Sequence, residues 1–112
     1  MIMSFAHKTL AAGRWLTFSP FEQLGHVGSE IDRAVYWSRA GKSDHTFAAV
    51  DRALELLDLT IADPRWRRRL KELLRARDVV ADRFYGTNEY HTNDASLQRY
   101  FFQFALAARK DH

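Results

Sequence analysis

The sequence contains no cysteine and only two prolines and five glycines among its 112 residues. Without cysteine the chain can form neither disulfide bonds nor thiolate metal sites, which fits a cytoplasmic protein. The scarcity of proline and glycine, together with 46% hydrophobic residues, favours a packed helical core over disorder. At this length we expect one domain, residues 1–112, in which residues 1–18 form an N-terminal extension.

The chain also lacks the short motifs of common enzymes. It has no glycine-rich phosphate loop and no nucleophilic serine between glycines, and none of its five histidines has another histidine at metal-ligand spacing. We therefore expect neither a metal nor a cofactor. Because His7, Lys8 and Thr9 interrupt the first apolar stretch, we expect neither export nor insertion in a membrane.

A strong helix start lies at Ser19, where Pro20 fits the first turn and Glu22 completes a capping box. Apolar residues recur at helical spacing from there to Gly41, which can adopt the left-handed conformation that ends a helix. Two glycines interrupt this helix at a cost in stability, so we expect close contact there with another backbone, from this chain or a second subunit. These glycines are Gly25 and Gly28.

Two further helices are predicted on either side of a central one. Ser43 or Asp44 would cap the second helix, and Asn93 or Asp94 the last. The second presents an apolar stripe of Phe47, Val50, Leu54, Leu57 and Ile61. The last presents Leu97, Phe101, Phe104, Ala105 and Ala108, widened by Tyr100, Phe102 and Leu106. So many aromatic residues exceed what one seam needs, and part of that surface is available to another protomer.

The central helix is predicted from Asp63, its cap, and Pro64 to Gly86. On a wheel counted from Trp66, its core face comprises Leu70, Leu73, Leu74, Val80, Ala81 and Phe84. The short links on either side of the second helix make sequential helices antiparallel neighbours. The predicted fold is therefore all-α, an up-and-down antiparallel four-helix bundle.

Arg77 stands in the middle of that predicted apolar stripe, about 20° from Trp66 by the count of 100° per residue. An unpaired buried charge is very costly, so its position requires an explanation. Either the guanidinium reaches solvent, or it meets a carboxylate from another helix, or it lies in a subunit interface or ligand cleft.

The opposite side of the central helix is basic and carries Arg68, Lys71 and Arg75. From position 65 to 82 the chain has seven basic and three acidic residues, a net charge of +4, whereas the whole chain carries +3. The positive field is therefore local. Such a patch either meets phosphate groups or is an ordinary solvated helix face.

The segment from Arg77 to Gly86, RDVVADRFYG, resembles the signature of HEPN domains, particularly the HepT-like toxins paired with minimal nucleotidyltransferases. In that signature an arginine, a polar residue and three apolar residues precede a histidine, which is followed by one residue, an aromatic pair and glycine. The similarity extends over residues 66–104. It implies a helical bundle that dimerises with the motif arginines facing one another.

Active members of that family cleave RNA without a metal, the arginine contacting phosphate and the histidine transferring a proton. The resemblance carries over Arg77, Asp78 and the aromatic pair Phe84 and Tyr85 as binding candidates. At the position of the histidine this chain has Asp82, which is ionised and accepts but does not donate hydrogen bonds at neutral pH. His91, in the following loop, is the other candidate for proton transfer, although a surface loop position is its simpler interpretation.

Three functions remain open from the sequence. The first is a non-catalytic HEPN-like module, toxin–antitoxin-like and homodimeric, that binds RNA, a nucleotide or a partner protein through Arg77 and the basic helix. The second is a small helical interaction domain without a nucleic-acid role, in which Arg77 neutralises an acid. The third, which we rank last, is a metal-independent ribonuclease using Arg77 with Asp82 or His91.

Overall fold

The structure, a computed structural model, describes residues 13–110, and all regular secondary structure within that range is helical. The predicted all-α class is therefore confirmed. The α-helices are α1 (Pro20–Arg39), α2 (Ser43–Ile61), α3 (Leu70–Tyr85) and α4 (Asp94–Lys110), and a 3-10 helix, Pro64–Arg69, precedes α3. Residues 13–15 are also helical. The remainder of the predicted N-terminal extension, residues 1–12, lies outside the described residues.

Local capping chemistry sets most helix boundaries. The Ser19 hydroxyl accepts a hydrogen bond from the Glu22 amide at 3.2 Å, and the Glu22 carboxylate accepts one from the Ser19 amide at 2.8 Å, so the predicted capping box is confirmed. After α1, Gly41 adopts the expected positive φ of 72°. Asn93 caps α4 by accepting from the Ser96 amide at 2.7 Å.

The start of α2 differs from the prediction. The helix begins at Ser43, and Lys42 occupies the cap position without a side-chain hydrogen bond to the helix. Neither Ser43 nor Asp44 is the cap, because both already lie in the first turn of α2, whereas the cap is the residue that precedes that turn.

Ring contacts show how the helices run. Each contact joins the end of one helix to the start of the other, so the helices in each pair are antiparallel. The contacts are Trp37 with His45 between α1 and α2, Phe47 with Tyr85 between α2 and α3, and Phe21 with Phe104 between α1 and α4. Helix α1 packs on both α2 and α4, and α2 also packs on α3. The backbones of α3 and α4 approach one another much less closely.

The two glycines of α1 allow α4 to approach it at backbone distance. A Cβ atom built on Gly28 would lie 2.8 Å from Cβ of Phe101, and one on Gly25 would lie 3.3 Å from Cα of Ala105. Real Cβ atoms are not found as close as the first of these distances. The predicted close contact is therefore confirmed, and it comes from α4 of the same chain.

A buried polar network ties the segment before α1 to the 3-10 helix. The fully buried Gln23 amide donates to the Trp15 carbonyl at 3.1 Å and to Asp63 Oδ2 at 2.9 Å. Its oxygen accepts from the indole N–H of Trp66 at 2.9 Å. Trp15 itself is buried and donates to the Thr60 hydroxyl at 3.0 Å. Residues 13–18 are thus fastened to the core by hydrogen bonds that pair each buried donor.

The predicted central helix is divided, which moves its core face. Asp63 caps the 3-10 helix as expected, accepting from the Arg65 amide at 2.9 Å. A 3-10 helix has three residues per turn, so a wheel counted from Trp66 at 3.6 residues per turn loses register before α3 begins. Leu70 and Leu74 are consequently 36% and 45% exposed instead of buried. The buried residues of α3 are Leu73, Ala76 and Val80.

Two other predicted stripes need smaller corrections. Phe47, which was predicted to lie on the core face of α2, is 39% exposed. Its ring stacks on Tyr85 at the end of α3. On α4, Phe102 and Leu106 are 52% and 42% exposed, which agrees with the expectation that its apolar surface exceeds one seam. Ala105 is half-buried against Gly25.

Candidate functional site

Arg77 is not in the centre of the core face. The buried residues of α3 centre that face about 70° around the helix from Arg77, and the arginine side chain keeps 34% of its exposure. Its guanidinium binds the Asp58 carboxylate of α2 with both ends, Nε at 2.6 Å from Oδ1 and Nη2 at 3.3 Å from Oδ2. Hydrogen bonding to Asp58 raises the pKa of Arg77. The carboxylate from another helix is therefore the explanation that applies.

Asp82 organises the loop between α3 and α4. Its two carboxylate oxygens accept from the backbone amides of Glu89 at 3.0 Å and Tyr90 at 3.1 Å. Its carbonyl oxygen accepts from the amides of Gly86 at 3.0 Å and Asn88 at 3.2 Å. Both carboxylate oxygens of Asp82 are therefore occupied by the backbone of this loop.

His91 does not join Arg77 or Asp82 in a cluster. Its side chain is exposed, and its backbone has a φ of 52° because the loop turns sharply there. Among the described residues, its side chain makes no hydrogen bond or ion pair with either of them. The three residues that the sequence suggested for catalysis thus have separate surroundings.

The aromatic pair at the end of α3 is split between two environments. Tyr85 is 53% exposed, stacks on Phe47 with 4.9 Å between ring centroids, and donates its hydroxyl hydrogen bond to Asp51. That bond raises the pKa of Tyr85 to about 12. Phe84 is half-buried, and the Arg83 guanidinium lies 4.9 Å from its ring centroid. Both aromatic residues therefore stabilise packing between helices.

The predicted basic side spans two elements, since Arg68 lies on the 3-10 helix and Lys71 and Arg75 lie on α3. Arg68, Lys71 and Arg75 are exposed, and none of them has an acidic partner among residues 13–110. The Arg75 guanidinium lies 5.4 Å from the ring centroid of Tyr90, a distance typical of a cation–π contact. We call Arg68, Lys71, Arg75 and Tyr90 the basic face. Asp78, which the sequence also suggested, is an exposed acid beside it.

The neighbouring arginines are neutralised. Arg69 binds Glu72 through two hydrogen bonds of 3.0 and 2.9 Å. Arg65 binds the buried Asp63 and also donates to the carbonyl of Phe18 at 2.8 Å. The Arg65 guanidinium lowers the pKa of Asp63 from 3.8 to about 2. Within residues 65–82 of the described structure, the cations that remain without an acidic partner are the three of the basic face and the exposed Arg67.

A cleft of about 230 Å³ lies between α3 and α4. At one end the Tyr100 hydroxyl donates to Glu72 at 2.6 Å, and at the other Arg83 pairs with Asp94 at 2.8 Å. The cleft is lined by Glu72, Arg75, Ala76, Val79, Thr92, Ser96, Leu97 and Tyr100. Arg75 belongs to both the cleft and the basic face.

Sequence reasoning missed three residues at this site. These residues are Asp58, Tyr90 and Ser96, none of which the sequence pattern singles out. A signal for Asp58 was present, since it lies on α2 at a level that an antiparallel α3 brings opposite Arg77. The contact of Tyr90 with Arg75 depends on the loop conformation that Asp82 holds, for which the sequence carries no comparable signal.

Comparison of the chain with protein-family models, with curated protein sequences and with solved structures found no match. Over residues 13–110, no group of three or more histidine, aspartate and glutamate side chains is arranged to hold a metal ion. In the same range no helix has the length and apolar character needed to cross a bilayer.

Proposed function

We propose that this chain is a cytoplasmic, non-catalytic helical module that binds single-stranded RNA through the basic face. The observation that carries the proposal is the contrast among the cations of this region. Arg65, Arg69 and Arg77 are each bound to a carboxylate, whereas Lys71 and Arg75 are exposed without an acidic partner in the described part of the chain.

Cations and an exposed aromatic ring on one surface suit single-stranded RNA. Phosphate contacts by lysine and arginine supply affinity that does not depend on sequence, and an aromatic side chain offers a surface on which a base can stack. Tyr90 is 45% exposed beside Arg75. The basic face therefore combines the two chemistries that such binding requires.

The proposed scaffold is an up-and-down antiparallel four-helix bundle of HEPN-like type, acting as a homodimer. Exposed apolar side chains next to Arg77 support the dimer. Leu70, Leu74 and Tyr85 are 36%, 45% and 53% exposed along the side of α3 that adjoins α2. Burying such a strip against a second copy would remove it from water.

The positions of the candidate catalytic residues favour binding without cleavage. Arg77 is bound to Asp58, Asp82 is bound to loop amides, and His91 is exposed apart from both. A general base must lie within hydrogen-bond reach of the proton it abstracts and have a suitable pKa. This arrangement offers no such group beside Arg77.

Equilibrium binding of a labelled single-stranded RNA across a salt series tests the proposal. Three phosphate contacts predict a slope of log Kobs against log salt of about −2. The variant Lys71→Ala/Arg75→Ala should weaken binding and reduce the slope by about 1.4. The matched control Arg39→Ala/Lys42→Ala removes the same charge near the turn that joins α1 to α2, and it should leave most of the affinity intact.

Equal losses in both double variants would show that only net charge matters and would overturn the assignment to this face. Absence of binding at low salt would favour the second candidate, a domain that binds another protein. The specific observation in favour of that candidate is apolar exposure on two surfaces, at Leu74 on α3 and at Phe102 and Leu106 on α4.

A further inference from the structure

The cleft between α3 and α4 borders the basic face, and Arg75 lies at the boundary. We propose that this cleft receives one nucleobase of the RNA strand whose phosphates the basic face binds. The inference rests on the proposed function and deepens it, since it assigns the base and the phosphate of one nucleotide to adjoining sites.

The cleft exists because small side chains line it. Ala76 on α3 and Ser96 on α4 leave space that larger residues would fill. The contacts at its two ends, Tyr100 with Glu72 and Arg83 with Asp94, hold the helices in place on either side of the gap. The opening is thus part of the native packing.

The lining matches the faces and edges of a base. Ala76, Val79 and Leu97 supply apolar surface for the flat faces of a ring. Thr92 and Ser96 add hydroxyl groups that can donate or accept hydrogen bonds. A cavity of about 230 Å³ is smaller than the sites that enclose drug-sized ligands, so it suits a single ring system.

Two acceptors lie at the end of the cleft where Tyr100 meets Glu72, and they suit the N–H groups that every RNA base presents. Glu72 uses three of its roughly four acceptor positions, on Arg69 and on the Tyr100 hydroxyl. The Tyr100 oxygen donates to Glu72 and retains its own lone pairs. A base entering the cleft would meet both oxygens with its polar edge.

Arg75 connects the two parts of the proposed site. It lines the cleft, and its guanidinium lies 5.4 Å from the Tyr90 ring centroid on the basic face. In a nucleotide the phosphate and the base are joined through one sugar, so a residue that borders both subsites can bind the phosphate while the base enters the gap. A purely hydrocarbon ligand would make no use of this cation.

The test compares a single-stranded RNA with the same strand carrying abasic sugars in place of its bases. Base–protein stacking and packing should make the wild-type protein bind the abasic strand about tenfold more weakly at one salt concentration. Ser96→Phe places a phenyl group in the cleft and should remove most of that preference, apart from the share due to stacking on Tyr90. Ala95→Phe adds the same group at the adjacent exposed position of α4 and should preserve it.

Failure of this inference is distinguishable from failure of the proposed function. If the wild-type protein binds both strands equally and the charge variants still weaken binding, RNA binding stands and the nucleobase site is overturned. If neither strand binds, the proposed function itself fails. A preference for the base-containing strand that is undiminished in a folded Ser96→Phe protein also overturns the cleft as its source.

A second measurement is independent of whether Ser96→Phe folds. RNA containing the fluorescent base 2-aminopurine should change its emission on binding to the wild-type protein, because the base leaves water for an apolar cleft. Unlabelled base-containing RNA should reverse the change, and an equal concentration of inorganic phosphate should not. An emission that stays constant when RNA is fully bound would overturn the inference.

Discussion

Helices α1 and α3 differ in how completely they are enclosed. Eight residues of α1 are buried, whereas three residues of α3 are buried. Helix α1 lies between α2 and α4, with backbone contact to α4 at its glycines. Helix α3 packs mainly on α2 and leaves a cleft on its α4 side. Helix α1 therefore contributes more to the core than α3, and α3 leaves more of its surface accessible to a ligand.

The two helices also differ in the surroundings of their charged residues: a buried charge of α1 is paired, and two cations of α3 remain exposed. In α1 the buried Glu30 carboxylate is paired with both Arg33 and Arg52, as burial of a charge requires. In α3, Lys71 and Arg75 remain exposed to solvent. Free cations on a helix that contributes less to the core can bind anions without disturbing the fold.

The largest loss of stability is expected at the contact between α1 and α4. Gly28→Val places a branched side chain where a single Cβ would already lie 2.8 Å from Phe101, so the free energy of unfolding should fall by about 3 kcal/mol. Urea denaturation measures it. Ser29→Val, at the adjacent exposed position of the same helix, should cost less than about 1 kcal/mol. Similar losses in both variants would show that this contact is not closely packed.

A somewhat smaller loss is expected from the buried network of α1. Gln23→Leu removes the acceptor of the Trp66 indole N–H, and the buried donor is left unpaired. The free energy of unfolding should fall by about 2 to 3 kcal/mol. Thermal unfolding followed by circular dichroism measures the change. The control Gln98→Leu replaces a glutamine of α4 whose amide meets Asp32 at an exposed position, and it should change stability by less than about 1 kcal/mol.

The boundaries of α1 could be predicted because each depends on a few adjacent residues. Local geometry explains the capping box of Ser19 and Glu22 and the left-handed conformation of Gly41. The glycine at position 28 likewise indicated a close approach of another backbone. The packing partner of Gly28 could not be predicted, since it belongs to a helix more than seventy residues further along the chain.

The position of Arg77 in the middle of the core face was predicted wrongly for an identifiable reason. The segment Pro64–Arg69 forms a 3-10 helix, and the change of pitch displaces the core face. The need for a carboxylate partner was foreseen among the alternatives, but its identity as Asp58 depends on the level at which α2 and α3 pack. The roles of Asp82 and Tyr90 depend on a loop conformation, which local patterns specify poorly.

The stability of the folded protein should also depend on pH through Asp63. Asp63 is 2% exposed and its pKa is lowered to about 2. A carboxyl group whose pKa is lower in the folded protein stabilises it above the unfolded value of 3.8, and that contribution is lost as the pH falls toward 2. We expect a loss of about 2 kcal/mol between pH 4 and pH 2.

Urea denaturation at several pH values in this interval measures the effect against Asp63→Asn. The variant should be less stable than the wild type at pH 5, and the difference should shrink as the pH approaches 2. Because other carboxyl groups titrate equally in both proteins, the difference isolates Asp63. A difference that stays constant from pH 5 to pH 2 would contradict the assigned role of the charge.

The smallest effect on stability is expected at the ion pair between Arg77 and Asp58. Arg77 and Asp58 keep 34% and 57% of their side-chain exposure, and exposed ion pairs contribute little because water and salt screen them. A double-mutant cycle with Arg77→Ala and Asp58→Ala should give a coupling free energy below about 1 kcal/mol.

The same variants decide which arginine of α3 serves the ligand. If the basic face is the site, Arg77→Ala should leave RNA affinity nearly unchanged, whereas Arg75→Ala should weaken it severalfold. The two substitutions remove the same charge from one helix, two residues apart, and differ in whether a carboxylate already neutralises it. A larger loss in Arg77→Ala would place the interaction on the side of α3 that adjoins α2, where the exposed Leu74 lies, and would overturn the assignment of RNA binding to the basic face.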